Sequence, residues 1–140
     1  MKVFISKNEN ESRRIAFDMG KNAKPGEVYS VTGTLGAGKT LMAKEFARGL
    51  GILDDITSPT FTILEEYPGK IPFYHFDLYR IESPEEIELM GFEDYFYGNG
   101  VSWIEWAEKC GSLMPEKHIS VTIEIISDEE RRITLEYPSD

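Results

Sequence analysis

Residues Gly33-Thr34-Leu35-Gly36-Ala37-Gly38-Lys39-Thr40 carry the strongest chemical signal in this chain. They match G-x-x-x-x-G-K-S/T without a mismatch, the pattern of a loop that wraps the phosphates of a nucleotide. Gly33, Gly36 and Gly38 allow backbone conformations and close approaches that a Cβ would block. Successive N–H groups then point inward and form a cradle for phosphate oxygens. A helix after the loop aims the positive end of its dipole at the same anion. Lys39 can reach the β- and γ-phosphates, and the Thr40 hydroxyl can hold Mg²⁺. The chemistry expected is binding and use of a nucleoside triphosphate with Mg²⁺.

Such a loop needs a carboxylate near the metal, usually at the end of an apolar strand. Two segments qualify. Ile71 to Phe76 runs into Asp77, and Val101 to Ile104 runs into Glu105. Either acid could hold Mg²⁺ while the other orients a water, and spacing alone leaves the two roles open. Thr60, in Ser58-Pro59-Thr60-Phe61, is placed to sense a γ-phosphate through the metal as switch loops do, or simply to turn the chain before a strand. Arg80 either neutralises charge on a transferring phosphoryl group or forms a surface ion pair. Cys110 has no His or Cys at metal spacing and reads as inert. His75 and His118 stand alone in the sequence and read as packing residues. Trp103, Phe73 and Phe76 read as core, whereas Trp106, directly after Glu105, reads as a rim residue.

The elements that must position these groups follow from periodicity. Lys2–Ser6 alternates as a strand, and Ile15, Ala16, Met19 and Ala23 share one face of a helix over 11–23. Val28–Thr32 is a β-favouring run entering the glycine loop. Beyond the loop, Leu41, Met42, Phe46, Ala47 and Leu50 recur at helical spacing, with Gly49 and Gly51 closing the helix. Runs at 61–67 and 71–77 flank Pro68-Gly69-Lys70 and predict a hairpin. Ser83-Pro84-Glu85-Glu86 predicts a capped helix that ends near Gly91, the acidic cluster Glu85, Glu86 and Glu88 being its solvated face. Strands follow at 101–105, 119–126 and 133–137. Helices and strands that alternate first and then give way to hairpins predict an α/β fold, a three-layer domain with a mixed sheet.

The chain has 140 residues, sized for a single domain spanning 1–140, and its balance of 41% hydrophobic and 29% charged residues is that of an ordinary globular protein. No apolar run nears the roughly 20 residues needed to span a bilayer. One cysteine cannot form an internal disulfide, which suits a reducing, cytoplasmic setting. The net charge of −10 opposes independent binding to nucleic acid, despite the doublets Arg13-Arg14 and Arg131-Arg132.

In order along almost the whole chain, GTLGAGKT, SPTF, YHFDLYR, the EE-E-MGFEDYF stretch and WIEWAEK resemble the TsaE family, the P-loop ATPases of bacterial tRNA threonylcarbamoyladenosine (t6A) biosynthesis. The resemblance implies a three-layer α/β/α P-loop fold, ATP and Mg²⁺ as ligands, and weak, partner-stimulated ATPase activity. It implies two protein partners, TsaD and TsaB, with tRNA met only through them during modification of adenosine 37. By motif, Gly33, Thr34, Leu35, Gly36, Ala37, Gly38, Lys39 and Thr40 would bind the phosphates, with Thr40 and Glu105 on the metal. Asp77 would act near the γ-phosphate, Thr60 would be the switch-like threonine, and Trp106 a sensitive neighbour. Asn10 to Arg13 and Arg131 lie where the family contacts nucleotide. The chain departs from the family in being short after Tyr137 and in having Ala107 where a proline often follows the tryptophan, and neither change touches a phosphate or metal position.

Two other functions share the glycine loop. A small-molecule kinase needs an acceptor pocket and an Arg-rich lid, and no such insertion is visible. A nucleotide-dependent adaptor would need binding without hydrolysis. A GTPase is disfavoured, because the chain has no Asn-Lys-x-Asp guanine signature.

Overall fold

The computed structural model describes residues 1–34, 36–57 and 62–138. The β-favouring run before the glycine loop forms β2 (Val28–Gly33), the middle strand of a seven-stranded sheet. The remaining strands are β1 (Lys2–Ser6), β3 (Leu64–Tyr67), β4 (Phe73–Asp77), β5 (Val101–Glu105), β6 (Ile119–Ile125) and β7 (Arg131–Glu136), ordered β1-β7-β6-β2-β5-β4-β3. β2, β4, β5 and β6 run parallel, while β3, β7 and β1 pair antiparallel to their neighbours. The sheet is mixed, and the expected hairpin is β3–β4. All five residues of β5 are buried, as expected for a parallel strand covered on both faces.

Helices α1 (Glu9–Lys21) and α2 (Lys39–Leu50) cover one face. Helices α3 (Pro84–Leu89) and α4 (Glu93–Phe96), with 3₁₀ turns between Ala107 and Leu113, cover part of the other. The three layers are therefore as the residue pattern predicts. Trp103, Phe46, Phe73 and Tyr29 fill the first interface, with the Phe46 ring 5.0 Å from Trp103 and 4.8 Å from Tyr29. Phe76, Phe92, Phe96 and Ile104 fill the second, where Cys110 is also buried.

Several boundaries differ from the sequence reading. α1 begins at Glu9 rather than Glu11, because the Asn8 side chain caps it by accepting from the Glu11 N–H at 2.9 Å. Ser83 precedes α3 and Pro84 opens it, but the Ser83 side chain makes no capping bond. Instead the Glu86 carboxylate reaches back to the Glu82 N–H at 3.2 Å. α4 and the 3₁₀ turns carry no periodicity long enough to foretell them.

Gly51 closes α2 in the left-handed conformation (φ 105°), but Gly49 does not. Its place is at the crossing of α1 and α2, where a Cβ would lie 2.1 Å from the Phe17 carbonyl oxygen. Gly20 answers it from α1, with a Cβ position 1.9 Å from the Phe46 carbonyl oxygen. The two backbones touch because neither residue has a side chain. Gly49→Ala is therefore expected to destabilise the fold by about 1–3 kcal/mol through overpacking, against its gain in helix propensity of roughly 1 kcal/mol. A lower urea midpoint in equilibrium unfolding checks this.

Candidate functional site

Parallel β2, β5 and β4 end side by side, and the register sets Val31 opposite Glu105 and Glu105 opposite Asp77. Side chains two residues apart on a strand share a face, so His75 and Asp77 both point to the side covered by α2. Glu105 points the same way and meets the first turn of α2. This is the carboxyl end of the parallel strands, where open α/β sheets bind ligands.

The loop leaving β2 passes Thr34, turns through Gly36 (φ 84°) and Gly38 (φ 108°), and enters α2 at Lys39. Among the described residues no Cβ at Gly36 or Gly38 would meet an atom within 4 Å, and the positive φ at each favours glycine. α2 has no side-chain cap at Gly38, so its first N–H groups face the loop without the usual polar side chain. A short run of open amides ahead of a helix dipole is an anion cradle.

Lys39 lies across this cradle. Its ammonium donates to the Gly33 carbonyl and, at 3.3 Å, to the Thr34 carbonyl, and it sits 4.2 Å from the centre of the Trp106 ring. Burial pulls the Lys39 ammonium below its usual range, with the carboxylates of Glu105, Glu108 and Asp77 opposing. Trp106 itself has left-handed backbone angles (φ 58°), an uncommon and strained state for a bulky residue. That kink turns the chain at the end of β5 and lays the indole over Lys39, with Tyr79 against it at 5.0 Å.

The Thr40 hydroxyl donates to Glu105 Oε1 at 3.2 Å. Glu105 is only 3% exposed, and its Oε2 lies 2.5 Å from His75 Nε2. Asp77 accepts the Tyr79 N–H at 3.1 Å; burial pushes its carboxyl above the usual range, that hydrogen bond opposes the rise, and the Glu105 charge adds to it. Two carboxyls opposite each other on neighbouring strands repel when both are charged. A divalent cation beside Thr40 and Glu105 would offset both the repulsion and the cost of burying charge. Among the described residues, no three His, Cys, Asp or Glu gather to hold an ion. Hard oxygen donors, few in number and next to a phosphate cradle, suit Mg²⁺, which usually keeps waters and phosphate oxygens as its other ligands.

On the opposite side of the loop lies a cavity of about 300 Å³, lined by Gly36 to Gly38, Leu41, Met42 and Arg131 together with Glu9, Ser12, Asp128 and Glu129. Arg131 donates from Nε to the Ala37 carbonyl at 3.0 Å, tying β7 to the loop. Of the segment Asn10 to Arg13, Ser12 lines this cavity. Arg13 instead pairs with Glu9 at 2.7 Å and lines a separate depression with Arg14, Phe17 and Arg48. Arg80 is exposed just beyond β4. Leu35 and Thr60 lie outside the described residues.

The structure thus brings Lys39, Thr40, Asp77 and Glu105 together and sets Arg131 beside the loop. Sequence reasoning took His75 for a packing residue. It is fully buried, but it also contacts Glu105. The available signal was its place two residues before Asp77, on the same strand face. His118 bonds the Pro115 carbonyl at the far end of β6, and burial pushes the Cys110 thiol up to about 12.

The family model "Threonylcarbamoyl adenosine biosynthesis protein TsaE" matches residues 6–133. The chain belongs to the TsaE family. The tRNA threonylcarbamoyladenosine biosynthesis protein TsaE of Bacillus subtilis is 44% identical over 128 residues, covering 91% of this chain and 80% of that protein. The protein of the same name from Treponema pallidum is 38% identical over 131 residues, covering 94% of this chain and 97% of its own. Among solved structures, Bacillus subtilis YdiB superposes with a TM-score of 0.85 at 37% identity, over 99% of this chain and 86% of that one. The match to the TsaE family, named for the biosynthesis of threonylcarbamoyladenosine, thus spans strands β2 to β6, the first half of β7 and both helices of the glycine-loop face.

Proposed function

We propose that this chain binds and slowly hydrolyses ATP with Mg²⁺ and serves, in the cytoplasm, the threonylcarbamoyl modification of tRNA adenosine 37 by acting on or resetting a TsaD–TsaB complex. The observation that carries the reading is the meeting of Lys39 and Thr40 with Glu105 at the mouth of a glycine loop, in a TsaE-family chain.

In this reading the loop amides and the α2 dipole take the phosphates. Lys39 leaves its two backbone carbonyls for the β- and γ-phosphate oxygens and adds a charge-assisted hydrogen bond. Thr40 and Glu105 hold the metal, and the chemistry Mg²⁺ supplies when bound is neutralisation of charge on the phosphate oxygens. Asp77, in line with Glu105, takes the proton side of the reaction by orienting the attacking water. Trp106 lies over Lys39, and Tyr79 packs against the indole. The chain's charge of −10 leaves contact with tRNA to the partners.

The test is phosphate release from ATP by the purified chain, with and without TsaD and TsaB. Slow release alone and faster release with both partners is the expected result. Equal rates in the two conditions, together with unchanged turnover of the partner complex when this chain is left out, would contradict the reading.

A further inference from the structure

We propose that His75 is a positioning residue for Glu105: an Nε2–H donated to Glu105 Oε2 leaves Oε1 turned to Thr40, where a divalent cation is to be held. The inference rests on the Mg²⁺–nucleotide reading above and deepens it.

His75 lies on β4 with no exposed surface, its ring 6.1 Å from that of Phe73. A residue chosen only to fill that space would be apolar, because burying an imidazole costs free energy unless its nitrogens are bonded. Only one nitrogen is. Nε2 meets Glu105 at 2.5 Å, while Nδ1 is buried without a partner among the described residues. Of the two neutral tautomers, the one with the proton on Nε2 gives the carboxylate its donor and leaves only a lone pair bare at Nδ1. The other tautomer buries an unpaired N–H and faces a lone pair to a carboxylate. Geometry therefore assigns the donor.

The consequence is a division of labour within one carboxylate. Oε2 is taken by His75, whereas the Thr40 hydroxyl lies nearer Oε1, at 3.2 Å against 3.5 Å to Oε2. A carboxylate held by one oxygen cannot rotate freely about its last torsion, so the second oxygen stays aimed at the threonine beside the phosphate loop. Metal ligands are commonly oriented by such outer partners, and their loss typically costs ten- to a hundredfold in metal affinity, an order-of-magnitude expectation.

The test is Mn²⁺ titrated into the full chain with ADP, free Mn²⁺ being read by electron paramagnetic resonance, alongside ADP affinity without metal. For His75→Leu, the gain in Mn²⁺ affinity over ADP in solution is expected to shrink by roughly 10- to 100-fold, with metal-free ADP affinity nearly unchanged. His75→Gln, which places an amide N–H near the Nε2 position, is expected to recover most of that gain. Equal Mn²⁺ affinity in His75→Leu and the native chain would overturn the proposal. So would a parallel loss of metal-free ADP affinity, which marks a structural role, or a failure of Gln to do better than Leu. If the native chain gives no gain over ADP in solution, the nucleotide–metal reading itself fails. A measurement on the native chain covers the case in which His75→Leu does not fold. Nitrogen-15 shifts of the His75 ring are expected to show the Nε2–H tautomer, and the Nδ1–H tautomer would overturn the assignment.

Discussion

Glu105→Ala is expected to lower the rate of phosphate release from ATP by about 10²–10³-fold, the scale of several kcal/mol of transition-state charge stabilisation. The carboxylate lies at the end of a strand buried along its whole length and is the acid that faces Thr40 directly. Its loss would remove the carboxylate proposed to hold the metal and leave the Thr40 hydroxyl and the His75 ring without their carboxylate partner. Leaving a buried imidazole without its partner also costs stability, so the rates are to be compared at a temperature where the variant is folded. Phosphate release at saturating ATP, followed across Mg²⁺ concentrations, checks the point. Raising Mg²⁺ should rescue Glu105→Ala only in part. A rate within about twofold of the native chain would remove Glu105 from the machinery, since even modest metal-ligand effects exceed that size.

Lys39→Ala is expected to weaken ATP binding by about 1.5–3 kcal/mol, roughly ten- to a hundredfold, as the loss of a charge-assisted phosphate contact. The loss has a second source. The ammonium bonds the Gly33 and Thr34 carbonyls and lies under the Trp106 ring, so it also holds the loop and the end of β5 together. Calorimetric titration with a non-hydrolysable ATP analogue reads the effect. Unchanged affinity in a folded Lys39→Ala protein would mean that the lysine never leaves its carbonyls for phosphate. Fluorescence of Trp106 offers a parallel readout, because a lysine that moves toward phosphate withdraws from the indole. Trp103, the other tryptophan, is fully buried in the core and adds a steady background.

These two residues were legible in the sequence for different reasons. Lys39 sits inside a motif whose fixed positions each have a physical reason, and in the structure it opens α2 directly after the glycine loop. Glu105 and Asp77 were recognisable as acids ending apolar strands, and only the family resemblance pointed to Glu105; spacing alone did not say which of them meets Thr40. That depends on sheet order, and β5 lies between β2 and β4 although β4 comes earlier in the chain. Strand order is a matter of crossover connections, which periodicity does not encode. His75 was missed for a related reason, since its partner is 30 residues away and reachable only across two parallel strands.

Local signals misled where tertiary contact outweighed them. Gly49 reads as a helix terminator, and nothing local marks Gly20. Their common role, letting α1 and α2 touch, exists only once the helices cross. Asn8 was hidden within a polar stretch, where many residues could cap a helix and only the fold selects one. The left-handed kink at Trp106 left no trace in residue type at all, because an indole is a poor choice for that conformation. It became visible only with Lys39 beneath the ring.

The most direct measurement is a crystal structure of the chain grown with a non-hydrolysable ATP analogue and Mn²⁺ in place of Mg²⁺, its metal located by anomalous scattering. The account predicts triphosphate along the amides of Gly36 to Thr40, Lys39 on the outer phosphates, and one metal peak bonded to Thr40 Oγ1 and a Glu105 oxygen. Nucleotide seated elsewhere on the protein, or a metal bound away from both Thr40 and Glu105, would contradict it.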